Sequence, residues 1–343
     1  MRWERCLMCV GVHAEGEIGR IVLGGLPAVP GGTMEERLLW LNENEEGRRL
    51  RRFLTSEPRG WPAMSTNLLL PPLAPGADAA FVVLQPDQAH AMSGSNAICT
   101  ATALLELGMV PMREPETTIV LDTAAGLVRA RVRCAEGRAR EVTLDMPASF
   151  VEARGIELDV EGLGRIELAI AFGGVFYALV DPAPLGLAIE PEAAGALCSL
   201  GVRILEAARA RFTPVHPERP TIRGLAYLMW CGEGAEGPRN ATVLMPGRLD
   251  RSPCGTGSSA RLALEFGLGR IRPGETRVFR SAIGTRFAAE LVGTTEVAGR
   301  PAVLPRISGR AWLYSFEQLG LDPEDPFPRG LRLSDLWSGL AEP

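Results

Sequence analysis

Two short stretches at residues 93 and 254 of this 343-residue chain share one pattern: hydroxyl or thiol, glycine, hydroxyl, then an apolar helix. Ser93-Gly94-Ser95-Asn96-Ala97 opens a run ending Leu104-Leu105-Glu106-Leu107-Gly108. Cys254-Gly255-Thr256-Gly257-Ser258 opens one ending Leu264-Glu265-Phe266-Gly267. A separation of nearly half the chain predicts an internal duplication, with one reactive side chain at each helix N-terminus. The expected halves are residues 1–155 with a C-terminal return over 322–343, carrying Ser93, and residues 156–321, carrying Cys254.

The intervening sequence supports two α/β halves. Apolar runs over 6–25 predict a hairpin, and helical spacing predicts a helix from Thr33 to Leu54. A Pro-rich loop, Leu70 to Gly76, precedes a strand at Ala79–Leu84. After the first Gly-containing loop come strands near 117–122, 127–134 and 141–144, read as one antiparallel sheet. The same grammar restarts with strands near 164–170 and 175–180, a helix over 191–211, and strands near 222–229 and 241–245.

Composition removes several chemistries. All 36 basic residues are arginine, so a pyridoxal Schiff base, a lysine general base and a P-loop lysine are excluded. The net charge of -5 argues against a nucleic-acid or anionic-membrane partner. No apolar run is long enough to span a membrane, and the N-terminal stretch lacks the pattern of a signal peptide. Seven scattered cysteines fit free thiols in a reducing cytoplasm.

Unsatisfied N–H groups and the helix dipole make each loop a natural carboxylate site. Gly94 and Gly255 permit close backbone approach, while Ser95 and Thr256 supply capping hydroxyls. The side chain before each glycine then lies beside the α-carbon of the bound carboxylate. A thiol there, with a reference pKa of about 8.5 lowered by the helix N-terminus, is a base for an α-proton. Cys254 is therefore a candidate base.

Other signals read as structural. Cys6 and Cys9 have CxxC spacing without a second pair and read as strand core. His13, His90 and His216 are too dispersed for a metal site, with His90 read as an exposed loop residue. Gly267-Leu268-Gly269 reads as a helix C-cap, and the arginines of 48–52 as a solvated helix face.

Asp250-Arg251-Ser252-Pro253-Cys254-Gly255-Thr256-Gly257-Ser258 resembles the second catalytic signature of the proline racemase family. Met92-Ser93-Gly94-Ser95 stands where that family has Met-Cys-Gly-His. His13 to Glu17 with Arg20, Phe172-Gly173-Gly174 with Phe176-Tyr177, and Arg239-Asn240-Ala241 resemble further landmarks. The resemblance implies two pseudo-symmetric diaminopimelate-epimerase-like domains, each a mostly antiparallel sheet around a central helix, with the substrate between them. It also implies Ser93 and Cys254 as a catalytic pair on opposite faces of Cα, without cofactor or metal. Gly94, Ser95, Gly255 and Thr256 would hold the carboxylate, and Asp250 the ring ammonium.

Serine replaces the family's first cysteine at 93, and serine replaces histidine at 95. Serine-first members resemble hydroxyproline 2-epimerases, which makes epimerisation of 4-hydroxyproline, with 3-hydroxyproline as a further substrate, the leading expectation. Dehydration of trans-3-hydroxy-L-proline is the alternative, and a catalytically silent imino-acid binding protein is the second. The expected partner is a small molecule, hydroxyproline or proline, and a homodimer is compatible with the reading. Ring-substituent preference is expected from a wall near Phe176 and Met229-Trp230.

Overall fold

The computed structural model describes residues 4–337. Two compact units emerge: one runs to Leu144 and resumes at Arg310, and the other is Asp145–Gly309.

The first unit begins with the hairpin of β1 (Arg5–Ala14) and β2 (Glu17–Gly24). Helices α1 (Met34–Glu43) and α2 (Glu45–Thr55) follow, where one continuous helix was expected. Asn44 breaks it: its backbone is extended (φ -78°, ψ 145°), and its side chain accepts the Glu46 N–H to start the second helix. Asparagine competes with the helix for backbone bonds, so one residue overrides the periodic pattern. The arginine run is also only partly solvated, because Arg51 is buried and donates to the Asp87 carbonyl.

Then come β3 (Ser65–Leu70), β4 (Ala79–Leu84), the short β5 (Ala89–His90), α3 (Gly94–Glu106), β6 (Glu116–Thr123), β7 (Gly126–Ala135) and β8 (Arg138–Asp145). The second unit contains β9 (Ser149–Val160), β10 (Gly164–Phe172), β11 (Phe176–Val180), α4 (Ala194–Arg211), β12 (Leu225–Gly234) and β13 (Gly237–Leu244). It continues with the short β14 (Arg248–Leu249), α5 (Gly255–Gly267), β15 (Thr276–Arg280), β16 (Arg286–Val297) and β17 (Arg300–Gly309). Finally β18 (Ala311–Leu321) returns to the first unit and pairs with β1 along its whole length.

The duplication is visible strand for strand. The first unit's sheet runs β18-β1-β2-β3-β4-β6-β7-β8, antiparallel except for β2/β3 and β4/β6. In the second, β9-β10-β11-β12-β13-β15-β16-β17 is antiparallel except at the corresponding β11/β12 and β13/β15, and β17 comes back onto β9. The expected boundaries therefore shift. A division at 155/156 would cut β9 in the middle of its ladder with β10, and one at 321/322 would separate β18 from β1.

Each sheet wraps a central helix of 13 residues, α3 or α5, buried nearly all round. The outer sheet faces are covered by α1 and α2 in the first unit and by α4 in the second. Contact is closest where the β10–β11 turn meets α5. A Cβ at Gly173 would stand 2.0 Å from the Thr256 carbonyl oxygen and 2.6 Å from the Ala260 nitrogen. Both are helix backbone atoms, so Gly173→Ala must displace the turn or the helix. It should destabilise the protein by at least about 2 kcal/mol in chemical denaturation, and an unchanged midpoint would contradict this packing.

Candidate active site

In the first unit, half-buried Ser93 is the N-cap of α3, with extended backbone (φ -146°, ψ 128°). A serine at this position normally caps a first-turn N–H. Here the hydroxyl makes no such bond. It instead accepts Asn96 Nδ2 at 2.9 Å and lies 3.3 Å from Ser95 Oγ. Gly94 and buried Ser95 form the start of the helix, so the first-turn N–H groups are left without a side-chain cap. It is at this end that the sequence led us to expect an anion.

In the second unit Cys254 is the N-cap of α5, held at φ 65°, ψ 116°. Such left-handed backbone costs a non-glycine residue about 1–3 kcal/mol and persists only where its surroundings impose it. The Pro253–Cys254 peptide is gripped at both polar ends. Its carbonyl accepts Asn240 Nδ2 at 3.2 Å and Ser258 Oγ at 3.1 Å. Its N–H donates to Ser252 Oγ at 3.1 Å, and that hydroxyl donates to Asp250 Oδ1 at 2.8 Å. Asn240 is oriented in turn by buried Arg261, whose Nη1 donates to Asn240 Oδ1 at 3.0 Å.

The thiol faces three groups. Its Sγ accepts the Gly257 N–H at 3.4 Å, lies 3.4 Å from Tyr177 Oη and 3.8 Å from Thr256 Oγ1. Tyr177 Oη is also 2.5 Å from Thr256 Oγ1. The expected lowering of the thiol pKa does not occur. Burial first, and the Asp250 carboxylate second, push it up to about 11 against the hydrogen bonds from Tyr177 and Gly257. Sequence shows the helix end but not the depth at which the sulfur is buried.

Strand alternation divides the expected pocket wall. Phe176 and Trp230 point into the core beneath α4, and the Trp230 indole donates to the Leu197 carbonyl. Their neighbours Tyr177, Tyr227 and Met229 instead pack with Cys254. Tyr177 was quoted only within a landmark and Ser252 only within a motif. Asn67 and Arg261 carried no signal of their own, because Asn96 and Asn240, to which they donate, are distant in sequence.

The histidines stay outside this chemistry. His13 Nδ1 accepts the Gly16 N–H at 3.2 Å, and its ring stacks on Trp312. His90, expected to be exposed, is buried on β5 with Nε2 3.4 Å from Asp87 Oδ1. His216 is buried against Phe150 and Phe172. Cys9 lies in the core but Cys6 is exposed, because strand residues three apart face opposite ways. All seven cysteines are free thiols. Among the described residues, no helix is long and apolar enough to cross a membrane.

Comparison with known proteins agrees with this geometry. The proline racemase family profile matches residues 9–332. A 4-hydroxyproline 2-epimerase of Agrobacterium fabrum is 51% identical over 338 residues, covering 98% of each chain. A solved hydroxyproline epimerase from Agrobacterium vitis, with bound trans-4-hydroxy-L-proline, is 50% identical with a TM-score of 0.96 over 100% of both chains. A probable proline racemase from Agrobacterium radiobacter, with bound carbonate, is also 50% identical, with a TM-score of 0.95 over 98% of this chain and 99% of that one. The match extends from β1 past β18 and includes both helix-cap loops, and the chain belongs to the proline racemase family.

Proposed function

We propose that this chain is a cofactor-independent hydroxyproline 2-epimerase, interconverting trans-4-hydroxy-L-proline and cis-4-hydroxy-D-proline. The observation that carries the reading is near-complete coverage by half-identical relatives named 4-hydroxyproline 2-epimerase. The matched helix caps at Ser93 and Cys254 support it. A cytoplasmic setting is supported by the seven free thiols.

The substrate carboxylate takes the first-turn N–H groups at Gly94, Ser95, Gly255 and Thr256, which withdraw charge from Cα as the proton leaves. Asp250 takes the ring ammonium. This pairing also acts on the thiol, because the carboxylate that disfavours the Cys254 thiolate is neutralised when the ammonium arrives. Cys254 and Ser93 then exchange protons with opposite faces of Cα. Dehydration of trans-3-hydroxy-L-proline is less well supported, since the names of the half-identical relatives specify 2-epimerisation of 4-hydroxyproline.

Incubation of trans-4-hydroxy-L-proline in deuterated water should place deuterium at Cα and yield the D-epimer. Cys254→Ala should cut exchange from at least one epimer by about a hundredfold or more, and undiminished exchange from both would refute the role of the thiol. If pyrroline-2-carboxylate forms from trans-3-hydroxy-L-proline while 4-hydroxyproline is left untouched, the dehydratase reading takes its place.

The thiol also makes a pH prediction. Because its pKa is raised, the fraction present as thiolate in the free protein stays small at neutral pH and grows toward a midpoint of about 11. Iodoacetamide alkylation of Cys254, followed by mass spectrometry of its peptide, should rise along that curve. Asp250→Asn removes one of the two causes and should move the curve to lower pH. A curve unmoved, or moved upward, would contradict the electrostatic coupling.

A further inference from the structure

Asn96, at the third position of α3, and Asn67, on β3, are both buried. Asn67 Nδ2 donates to Asn96 Oδ1 at 2.9 Å, and Asn96 Nδ2 donates to Ser93 Oγ at 2.9 Å. An amide whose oxygen is occupied on one side presents its nitrogen on the other, and nitrogen can only donate. Ser93 Oγ is thereby made an acceptor.

The sheet is shaped around this pair. A Cβ at Gly19 on β2 would stand 2.7 Å from Asn96 Oδ1 and 3.1 Å from Asn67 Nδ2. Asn67 Oδ1 is buried without a hydrogen-bond partner, a cost of about 1–3 kcal/mol. A pair held at that cost is poor support for the fold alone.

We propose that Asn96, oriented by Asn67, is a positioning residue that makes Ser93 a proton donor toward Cα and stabilises the alkoxide left behind. The proposal rests on the epimerase reading of Ser93. An N–H on Oγ draws the hydroxyl away from capping the helix, leaves its own O–H to choose between Ser95 Oγ at 3.3 Å and a ligand, and favours negative charge on oxygen.

In the direction that begins at Cys254, the thiolate takes the α-proton and becomes a thiol, while the Cα–H electron pair passes into the enolate of the bound carboxylate. The Ser93 O–H bond then breaks. Its proton bonds to Cα on the opposite face, and its electron pair stays on Oγ, facing the Asn96 N–H. After product release the thiol proton returns to the alkoxide through water. An aspartate at 96 would reverse this geometry, because a carboxylate accepts the Ser93 O–H and turns it away from Cα.

The test measures epimerisation and α-deuteration together, in deuterated water, from each epimer of 4-hydroxyproline. Asn96→Ala and Asn96→Asp should slow epimerisation by about a hundredfold. Deuteration with retained configuration, in the epimer whose α-proton faces Cys254, should fall far less. Ser93→Cys supplies a more acidic donor, so adding Asn96→Ala to it should cost several-fold less than in wild type. Equal loss of both readouts, no loss, or an unchanged penalty in the Ser93→Cys background would each overturn the proposal. If Asn96→Ala fails to fold, Asn96→Asp and Asn67→Ala carry the same comparison. Absence of deuterium from both epimers with the wild-type protein would instead sink the epimerase reading itself, and this proposal with it.

Discussion

A helix buried on every side can meet polar chemistry only at its ends, and both units are built around that constraint. The apolar lengths of α3 and α5 are enclosed by their own sheets, while the first-turn N–H groups must find partners at the open end. The short strands β5 and β14 each deliver the chain to that end. Once a sheet wraps such a helix, the anion site proposed at its N-terminus needs only the donors that the fold already leaves there.

The two ends are finished differently. On α5 the chain enters through a left-handed residue, and the strain is held by a peptide bonded at both carbonyl and N–H. The bonds come from Asn240, Ser258 and Ser252, with Arg261 and Asp250 behind them. The thiol position is thus specified by groups from β13, the preceding loop and α5 itself. On α3 the cap is extended and unstrained, and the precision comes from an amide pair reaching across from β3.

How much of this is legible in sequence follows from how local each signal is. The caps, their glycines and the duplicated helices were legible because pattern and consequence lie within a few residues. The break at Asn44 was not, since a single side chain outweighed an otherwise helical period. Nor were the unit boundaries, because β18 joins the first unit through its ladder with β1, some 300 residues away. Of the expected pocket wall Met229 packs with Cys254 while Phe176 and Trp230 face the other core, because one residue in a strand is the difference between two faces. The thiol's acidity was misjudged in sign, because the dipole is readable from position while burial depends on the tertiary structure.

The asymmetry of the proposed pair, Ser93 and Cys254, gains a physical sense from these same interactions. An epimerase that works in both directions needs two carriers of comparable proton affinity, since otherwise one transfer runs steeply uphill. A free alcohol holds its proton far more tightly than a free thiol, so a serine and a cysteine are badly matched in water. Burial raises the thiol's affinity for its proton. The Asn96 N–H lowers that of the Ser93 oxygen, on the role proposed for it. Both act to close the gap, and they come from different units of a duplicated fold, which allows each half to be tuned without disturbing the other.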